Sequence, residues 1–281
     1  MTLKQALSQA REMLVANNIE DASLESELLL RHTLDISRIQ LYQDLERDLS
    51  PEQEQTFWNL IRRRLDDEPT AYIVGHREFY GLDFCVTPHV LIPRPESELL
   101  VETTISLAQD HRVTTIADIG TGCGAIAISL ALNLPQTKVY ATDISAPALE
   151  VALINCRKHN VVNRIHLLQG DMLNPLPESV DLILANLPYV KKTELPRSSA
   201  KFEPLLALNG GSDGLQKIRQ LCRQVNNKIK STGHLLLEIG EGQGRAVNSL
   251  LHSLFPHAKI EVVPDFAGID RVLSLHLPGN R

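Results

Sequence analysis

The sequence predicts an α/β domain built on an open, mostly parallel sheet, preceded by a small all-helical bundle. Three observations carry that reading. Residues 115–124, Thr-Ile-Ala-Asp-Ile-Gly-Thr-Gly-Cys-Gly, run from strand formers into three glycines within five positions, and an apolar helical stretch follows to Leu132. Strand-like and helix-like segments then alternate over 138–185. The first seventy residues, by contrast, carry mainly helical periodicity.

Size and composition fit this division. The chain has 281 residues, 43% hydrophobic and 22% charged, enough for one large α/β domain and a small one. Its opening residues lack the apolar run of a signal peptide, and the apolar stretches fall short of a membrane span, so a cytoplasmic protein without membrane contact is expected. Four cysteines (Cys85, Cys123, Cys156, Cys222) and ten histidines are scattered without a C-x-x-C or H-E-x-x-H pattern, so no metal is expected. The net charge of −6 resides in residues 1–68, which hold 14 Asp and Glu against 8 Lys and Arg. The remainder is neutral overall, so direct nucleic-acid binding is not expected, although a local basic groove stays open.

Leu3, Ala6, Leu7, Ala10 and Leu14 form the stripe of an amphipathic helix over 2–17. A second helix is expected from Ser23 through Leu30 and a short third around 39–45. The fourth is marked by Ser50-Pro51-Glu52-Gln53, an N-cap, a proline at the first helical position and a capping-box glutamine. Phe57, Leu60, Ile61 and Leu65 line its inner face until Pro69 prevents continuation. Residues 1–70 are thus read as a helical bundle, the expected substrate-recognition domain, with its leucines as core and an acidic solvent face.

Residues 72–86 contain two short β-rich runs around Gly81 and are read as a hairpin, within a linker spanning 71–90. The catalytic domain is expected over 91–281. It begins with Val90-Leu-Ile-Pro-Arg94-Pro-Glu96-Ser-Glu98, where two prolines stiffen the connector and present Arg94 and Glu96 in one direction, toward a substrate, before a helix over 97–109. Glu96 and Glu98 read equally as acids favoured by the start of that helix.

The glycines identify the central site. Glycine permits positive φ and close approach of the backbone, and a helix N-terminus adds partial positive charge. A dinucleotide loop requires G-x-G-x-x-G; here Gly120, Gly122 and Gly124, with Thr121 and Cys123 between them, read G-x-G-x-G. Nineteen residues past Gly124, a second strand over 138–142 delivers Asp143, whose carboxylate can accept two ribose hydroxyls. Such charge-assisted bonds contribute about 1.5 to 3 kcal/mol each. The pattern is similar to the S-adenosylmethionine site of Rossmann-like methyltransferases. After a helix over 146–160, a third strand over 165–169 places Asp171 and Met172 beside the adenine, although Asp171 reads equally as a turn residue.

The fourth strand, 180–185, ends in Asn186-Leu187-Pro188-Tyr189. An amide or ring-attached amine is a poor nucleophile, because its lone pair is delocalised. Acceptors must take its two hydrogens and aim the nitrogen at a sulfonium methyl. The Asn186 side-chain oxygen and the Leu187 main-chain oxygen supply them, and Tyr189 offers a ring for the planar group; orientation and charge stabilisation then suffice without a strong base. A glycine-rich turn region over 203–214 is expected above the cleft. A fifth strand over 234–239, a helix over 243–255 and an antiparallel strand pair (259–263 and 271–277) complete the chain.

These segments together resemble the protein-glutamine methyltransferases that modify peptide chain release factors. The resemblance rests on Ala71-Tyr-Ile-Val-Gly75, Glu78-Phe-Tyr-Gly81, the Arg94-Pro-Glu96 connector, Asp118-Ile-Gly-Thr-Gly-Cys-Gly124, Asn186-Leu-Pro-Tyr189, Glu203-Pro204 with Leu208, and Asp270-Arg-Val272. It implies a Rossmann-like class I methyltransferase fold with seven strands, S-adenosylmethionine as cofactor, and methylation of the glutamine in the Gly-Gly-Gln motif of release factors. It also implies that Gly120 to Gly124, Asp143, Met172 and Asn186 contact the cofactor while Asn186 to Tyr189 hold the glutamine. Two positions depart from the family pattern: Leu187 replaces the usual proline, and Ser97 stands where threonine is frequent. Three other readings remain: an amino-methyltransferase acting on adenine or cytosine of nucleic acid, a non-catalytic cofactor-binding adaptor, and a nicotinamide oxidoreductase, which the glycine spacing disfavours.

Overall fold

The structure, a computed structural model, describes residues 1–195 and 202–279, and the chain divides into two compact units, Met1–His76 and Arg77–Arg281. In the first unit, helices α1 (Leu3–Ala16), α2 (Ala22–Leu34), α3 (Arg38–Gln43) and α4 (Pro51–Leu65) follow the apolar stripes of the sequence. Three start with complete capping boxes, Thr2 with Gln5, Ser37 with Gln40 and Ser50 with Gln53, each satisfying two otherwise orphan backbone donors. Leu3, Leu14, Leu29, Leu30, Phe57 and Ile61 form the core. Glu27 is buried there, and its charge is met by Arg31, Arg38 and the Tyr42 hydroxyl at 3.4, 3.0 and 3.0 Å.

One expected strand is a helix. Residues Thr70–Val74 form α5, which packs on α2 and α4 and buries Tyr72 and Ile73. Pro69 occupies its N-cap, and Gly75 at φ 80° ends it. Burial against the bundle outweighs the β preference of Tyr, Ile and Val. The hairpin is therefore shorter than expected, β1 (His76–Phe79) and β2 (Leu82–Cys85), turned by Tyr80 and Gly81 with φ of 52° and 69°.

The second unit carries α6 (Glu98–Asp110), β3 (Thr115–Ile119), α7 (Ala125–Asn133), β4 (Lys138–Asp143), α8 (Ala146–Lys158), β5 (Ile165–Gln169) and β6 (Val180–Ala185). It continues with α9 (Leu205–Leu208), α10 (Gln216–Val225), β7 (Ile229–Glu238), α11 (Gly244–Leu254), β8 (Lys259–Pro264) and β9 (Asp270–His276). Its seven strands lie in the order β5-β4-β3-β6-β7-β9-β8, parallel except for β9, which runs antiparallel to both neighbours. The order reverses between β3 and β6, so their carboxyl ends flank the crevice where such sheets bind ligands. Register places Ile119 beside both Thr142 and Ala185, bringing the glycine turn, Asp143 and Asn186 to one edge.

The short α9 lies within the segment read as a turn region, and α10 follows it in a stretch to which the sequence reading assigns no element. Ile218, Leu221, Cys222 and Val225 supply the buried stripe of α10. It joins Ile183, Leu235, Leu237, Val247 and Leu251 in one core. Near the start of the β7–β9 pairing, His111, His234 and His276 stack, with ring centroids 4.8 Å apart for His111 and His234 and 4.3 Å for His234 and His276. Among the described residues, no helix is long and apolar enough to cross a membrane.

Candidate active site

The turn after β3 is held by the backbone of the neighbouring strand β4. Gly120 and Thr121 both donate their N–H to the Thr142 carbonyl at 2.9 Å, and the Thr121 hydroxyl donates to buried Asp118 at 2.7 Å. Burial pushes the Asp118 carboxyl up to about 7; hydrogen bonds from Thr121 and Ala127 oppose that rise and nearby Asp143 adds to it. Gly120, Gly122 and Gly124 have φ of 74°, 56° and 83°, the left-handed region that a side chain disfavours. Gly124 serves packing, because an added Cβ there would lie 3.2 Å from Ile128 Cδ1 and 3.3 Å from Ala152 Cβ.

Asp143 fastens this turn to the next strand. Its Oδ2 accepts the N–H of Gly122 and its Oδ1 that of Ser145, both at 2.9 Å, and each oxygen keeps a lone pair for a further donor. Burial raises the Asp143 pKa, and hydrogen bonds from Ser145, Gly122 and Ile144 oppose the rise.

A cleft with about 840 Å³ of empty space runs along these strand tips, lined by Gly120, Gly122, Asp143, Asp171, Met172 and Asn186, among others. The buried Thr142 hydroxyl, also on its wall, has no hydrogen-bond partner among the described residues. Asp171 accepts from Gln220 Nε2 at 2.7 Å, and Met172, at φ 52°, is shared between cleft and core. Thr121, Cys123 and Gly124 stand behind the wall, outside its lining. Pro204, Leu206 and Ala207 border the cleft, so the 203–214 segment does lie at its edge, and α10 contributes Lys217.

A second cavity of about 630 Å³, lined by Arg94, Tyr189, Val190, Glu203 and Leu208, shares Leu91, Asn186, Leu187, Pro188 and Ala207 with the first. The end of β6 is thus a wall between two chambers. The buried Leu187 side chain packs beneath the glycine turn, 3.4 Å from where a Gly120 Cβ would stand. The Tyr189 carbonyl accepts from Gln243 Nε2 at 3.0 Å, and Gly240 leaves room for its ring: a Cβ there would lie 2.9 Å from Tyr189 Cδ2.

Several partners in this wall were not legible beforehand. Arg94 donates to both carboxylate oxygens of buried Glu203 at 2.8 and 2.7 Å, and Ile92 N–H donates to the same group at 3.3 Å. That clamp joins the proline-rich connector to the segment preceding α9. Glu96, in a single 3₁₀ turn (Pro95–Ser97), is exposed and outside the lining of both cavities. Ser97 and Glu238 are buried, and Asn186 Nδ2 donates to Ser97 Oγ at 2.8 Å. Burial pushes the Glu238 carboxyl up to about 7, against a lowering hydrogen bond from Ser97. Arg94, Glu203 and the hydroxyl at position 97 were singled out in the sequence, but not as partners of one another or of Asn186, and Glu238 was not singled out.

Comparison with known proteins bears on this geometry. A family model described as the PrmC N-terminal domain matches residues 5–75, and one described as the methyltransferase small domain matches residues 95–201. A release factor glutamine methyltransferase of Moorella thermoacetica is 45% identical over 274 residues, covering 96% of this chain and 97% of its own. One from Neisseria gonorrhoeae is 40% identical, covering 89% and 91%. In fold, the chain is similar to the hMettl16 catalytic domain, solved in complex with MAT2A 3'UTR hairpin 6, with a TM-score of 0.58 and 15% identity over 79% of this chain and 83% of that one. It is also similar to a methyltransferase from Pyrococcus furiosus, with a TM-score of 0.52 and 18% identity over 78% and 98%.

Proposed function

The chain belongs to the release factor glutamine methyltransferase family, and from that premise we propose that its two adjoining chambers receive S-adenosylmethionine and the glutamine of a release factor Gly-Gly-Gln motif. The protein is an S-adenosylmethionine-dependent protein-glutamine N-methyltransferase of the class I Rossmann-like fold. The observation that carries the site assignment is that Asn186, Leu187 and Pro188 line both cavities, so one short segment can touch donor and acceptor together.

The residues of the first cleft fit the cofactor. Backbone at Gly120 and Gly122 comes close without side chains, Asp143 retains acceptor capacity for ribose hydroxyls, Met172 offers an apolar face to adenine, and the unpartnered Thr142 hydroxyl can meet a polar group. Asp171 stands beside Met172, engaged with Gln220. Thr121, Cys123 and Gly124 support the turn from behind. When bound, the cofactor supplies an electrophilic sulfonium methyl.

On the other side of the wall, Asn186 Oδ1 and the Leu187 carbonyl accept the two hydrogens of the glutamine amide, while Tyr189 packs on its plane. Pro188 keeps Leu187 extended, so the Leu187 side chain can be buried without moving that carbonyl. Arg94, fixed by Glu203, shapes the glutamine chamber, and Glu96 lies at its approach. With the cofactor bound, the two acceptors at Asn186 and Leu187 would aim the amide nitrogen at the methyl group, and the amide would release one proton to solvent as it gained that methyl. Acceptors for the positive charge developing on nitrogen are the catalytic contribution of the chain.

The partner is a peptide chain release factor, bound in the cytoplasm as part of translation termination. Incubation with methyl-labelled S-adenosylmethionine and, in parallel, a release factor, DNA and RNA tests the reading. Mass spectrometry is expected to find one methyl group on the amide of the Gly-Gly-Gln glutamine. Label on nucleic acid alone contradicts it.

A further inference from the structure

Met172 stands on the wall of the first cleft with a backbone angle that few side chains adopt. Its φ of 52° lies in the left-handed region, and its long side chain is 7% exposed, divided between cleft and core. Such a conformation persists only where the surroundings over-determine it, and residues of this kind gather at ligand-binding positions. The neighbours of Met172 on either side show what holds it.

Both are gripped by one helix. Asp171 Oδ2 accepts from Gln220 Nε2 at 2.7 Å, and the Leu173 N–H donates to Gln224 Oε1 at 2.9 Å. Gln220 and Gln224 lie one turn apart on α10 and so share a face, while Lys217, one turn earlier, reaches the cleft lining. The apolar stripe of α10, Ile218, Leu221, Cys222 and Val225, is buried in the core, so the helix is fixed independently of these polar bonds. On the strand side, the Gly170 N–H donates to the Asp143 carbonyl at 2.9 Å. The span from Asp171 to Leu173 is therefore pinned between β4 and α10.

The two glutamines use opposite ends of their amides. A carboxylate only accepts, so Gln220 presents its NH₂ to Asp171; a backbone N–H only donates, so Gln224 presents its oxygen to Leu173. The first bond leaves Asp171 Oδ1 for a donor in the cleft that Asp171 lines. The second fixes the peptide that follows Met172.

We propose that Gln220 and Gln224 are positioning residues of the cofactor site: Gln220 aims the Asp171 carboxylate at the exocyclic amine of adenine, and Gln224 holds Met172 in its left-handed conformation against the ring. Helix α10 thereby sets a preference for an adenosyl ligand. This inference rests on the reading that the first cleft receives S-adenosylmethionine, and its test separates the two.

Calorimetric titration of the full chain with S-adenosylhomocysteine, and with its inosyl counterpart that carries a keto oxygen where adenine has its amine, reads the proposal. One substitution is expected to act oppositely at the two positions. Gln224→Glu keeps an acceptor for Leu173 and leaves the adenosyl Kd within about twofold of wild type. Gln220→Glu sets a second carboxylate against Asp171 and raises that Kd at least about tenfold, the scale of one charged hydrogen bond lost. Gln220→Leu narrows the adenosyl-over-inosyl preference at least about threefold, and Gln224→Leu raises the adenosyl Kd at least about fivefold. Turnover at saturating cofactor and the release-factor KM stay within about threefold throughout.

A wild-type Kd in Gln220→Glu overturns the proposal, and so does equal weakening by Gln224→Glu and Gln224→Leu, the result that general destabilisation would give. A further readout needs no ligand: the Met172 ¹³C-methyl signal of the free protein is expected to move in Gln224→Leu and to keep its place in Gln224→Glu. Coincident signals in wild type and Gln224→Leu overturn the proposal; if Gln224→Leu does not fold, the Gln220→Glu titration decides. A wild type that binds neither ligand contradicts the cofactor reading itself, whereas a wild type that binds the adenosyl ligand beside indifferent variants contradicts only this inference.

Discussion

Asp143 Oδ2 accepts the backbone N–H of Gly122 at 2.9 Å, so the tip of β4 and the glycine turn after β3 are one unit. The carboxylate assigned to the ribose therefore also shapes the turn that would face the methionine portion of the cofactor. Asp143→Ala is expected to weaken S-adenosylmethionine binding by roughly two orders of magnitude, from about 1.5 kcal/mol for each of two charged hydrogen bonds lost to the ribose. Calorimetric titration measures this directly. An unchanged Kd would remove Asp143 from the site.

Gly210 packs against the segment following Asn186. A Cβ there would lie 2.7 Å from the Pro188 carbonyl oxygen, the Gly214 carbonyl oxygen and Tyr189 Cα, all backbone atoms that cannot rotate away. Gly210→Ala is expected to cost about 1 to 3 kcal/mol of stability and to reduce turnover by displacing Pro188 and Tyr189. Thermal melting and steady-state kinetics check both effects, and an unaffected rate in a destabilised protein would show that the segment tolerates the shift.

The histidine stack makes stability sensitive to mild acid. Burial, together with the neighbouring His276 and His111, lowers the His234 pKa to about 4; His276, lowered mainly by its own burial, also feels His111 and Lys259 of β8. A base depressed in the folded state stabilises the fold above its unfolded pKa, about 6.5, and loses that contribution as pH falls toward its folded value. Melting temperature is expected to fall between about pH 6.5 and 4, and His234→Phe is expected to flatten that slope. Parallel slopes for both proteins would exclude the stack as the cause.

Much of this site was legible in the sequence because its parts are local. Three glycines within five residues, Asp143 at the end of the next strand and Asn186-Leu-Pro-Tyr189 at the end of the fourth are each contained in a few consecutive positions, and the sheet only has to align strand tips. Tyr72, Ile73 and Val74 misled because their β preference is a weak term beside burial on the helical bundle. The spacing of Ile218, Leu221, Cys222 and Val225 carried a helical signal for α10 that the glycines before it obscured. Glu238 could not be found this way. It ends an ordinary apolar strand, and the sheet order alone brings it to the same edge as Asn186.

The claim on which the account turns is that Asn186 serves the reacting amide rather than the cofactor's affinity. Asn186→Ala, assayed on a release factor with S-adenosylmethionine binding measured in the same preparation, is the direct test. The account predicts a cofactor Kd within about threefold of wild type and turnover lower by at least about a hundredfold, the scale of losing one preorganised acceptor at a reacting centre. Wild-type turnover in that variant, or a loss of turnover wholly restored by saturating cofactor, would contradict it.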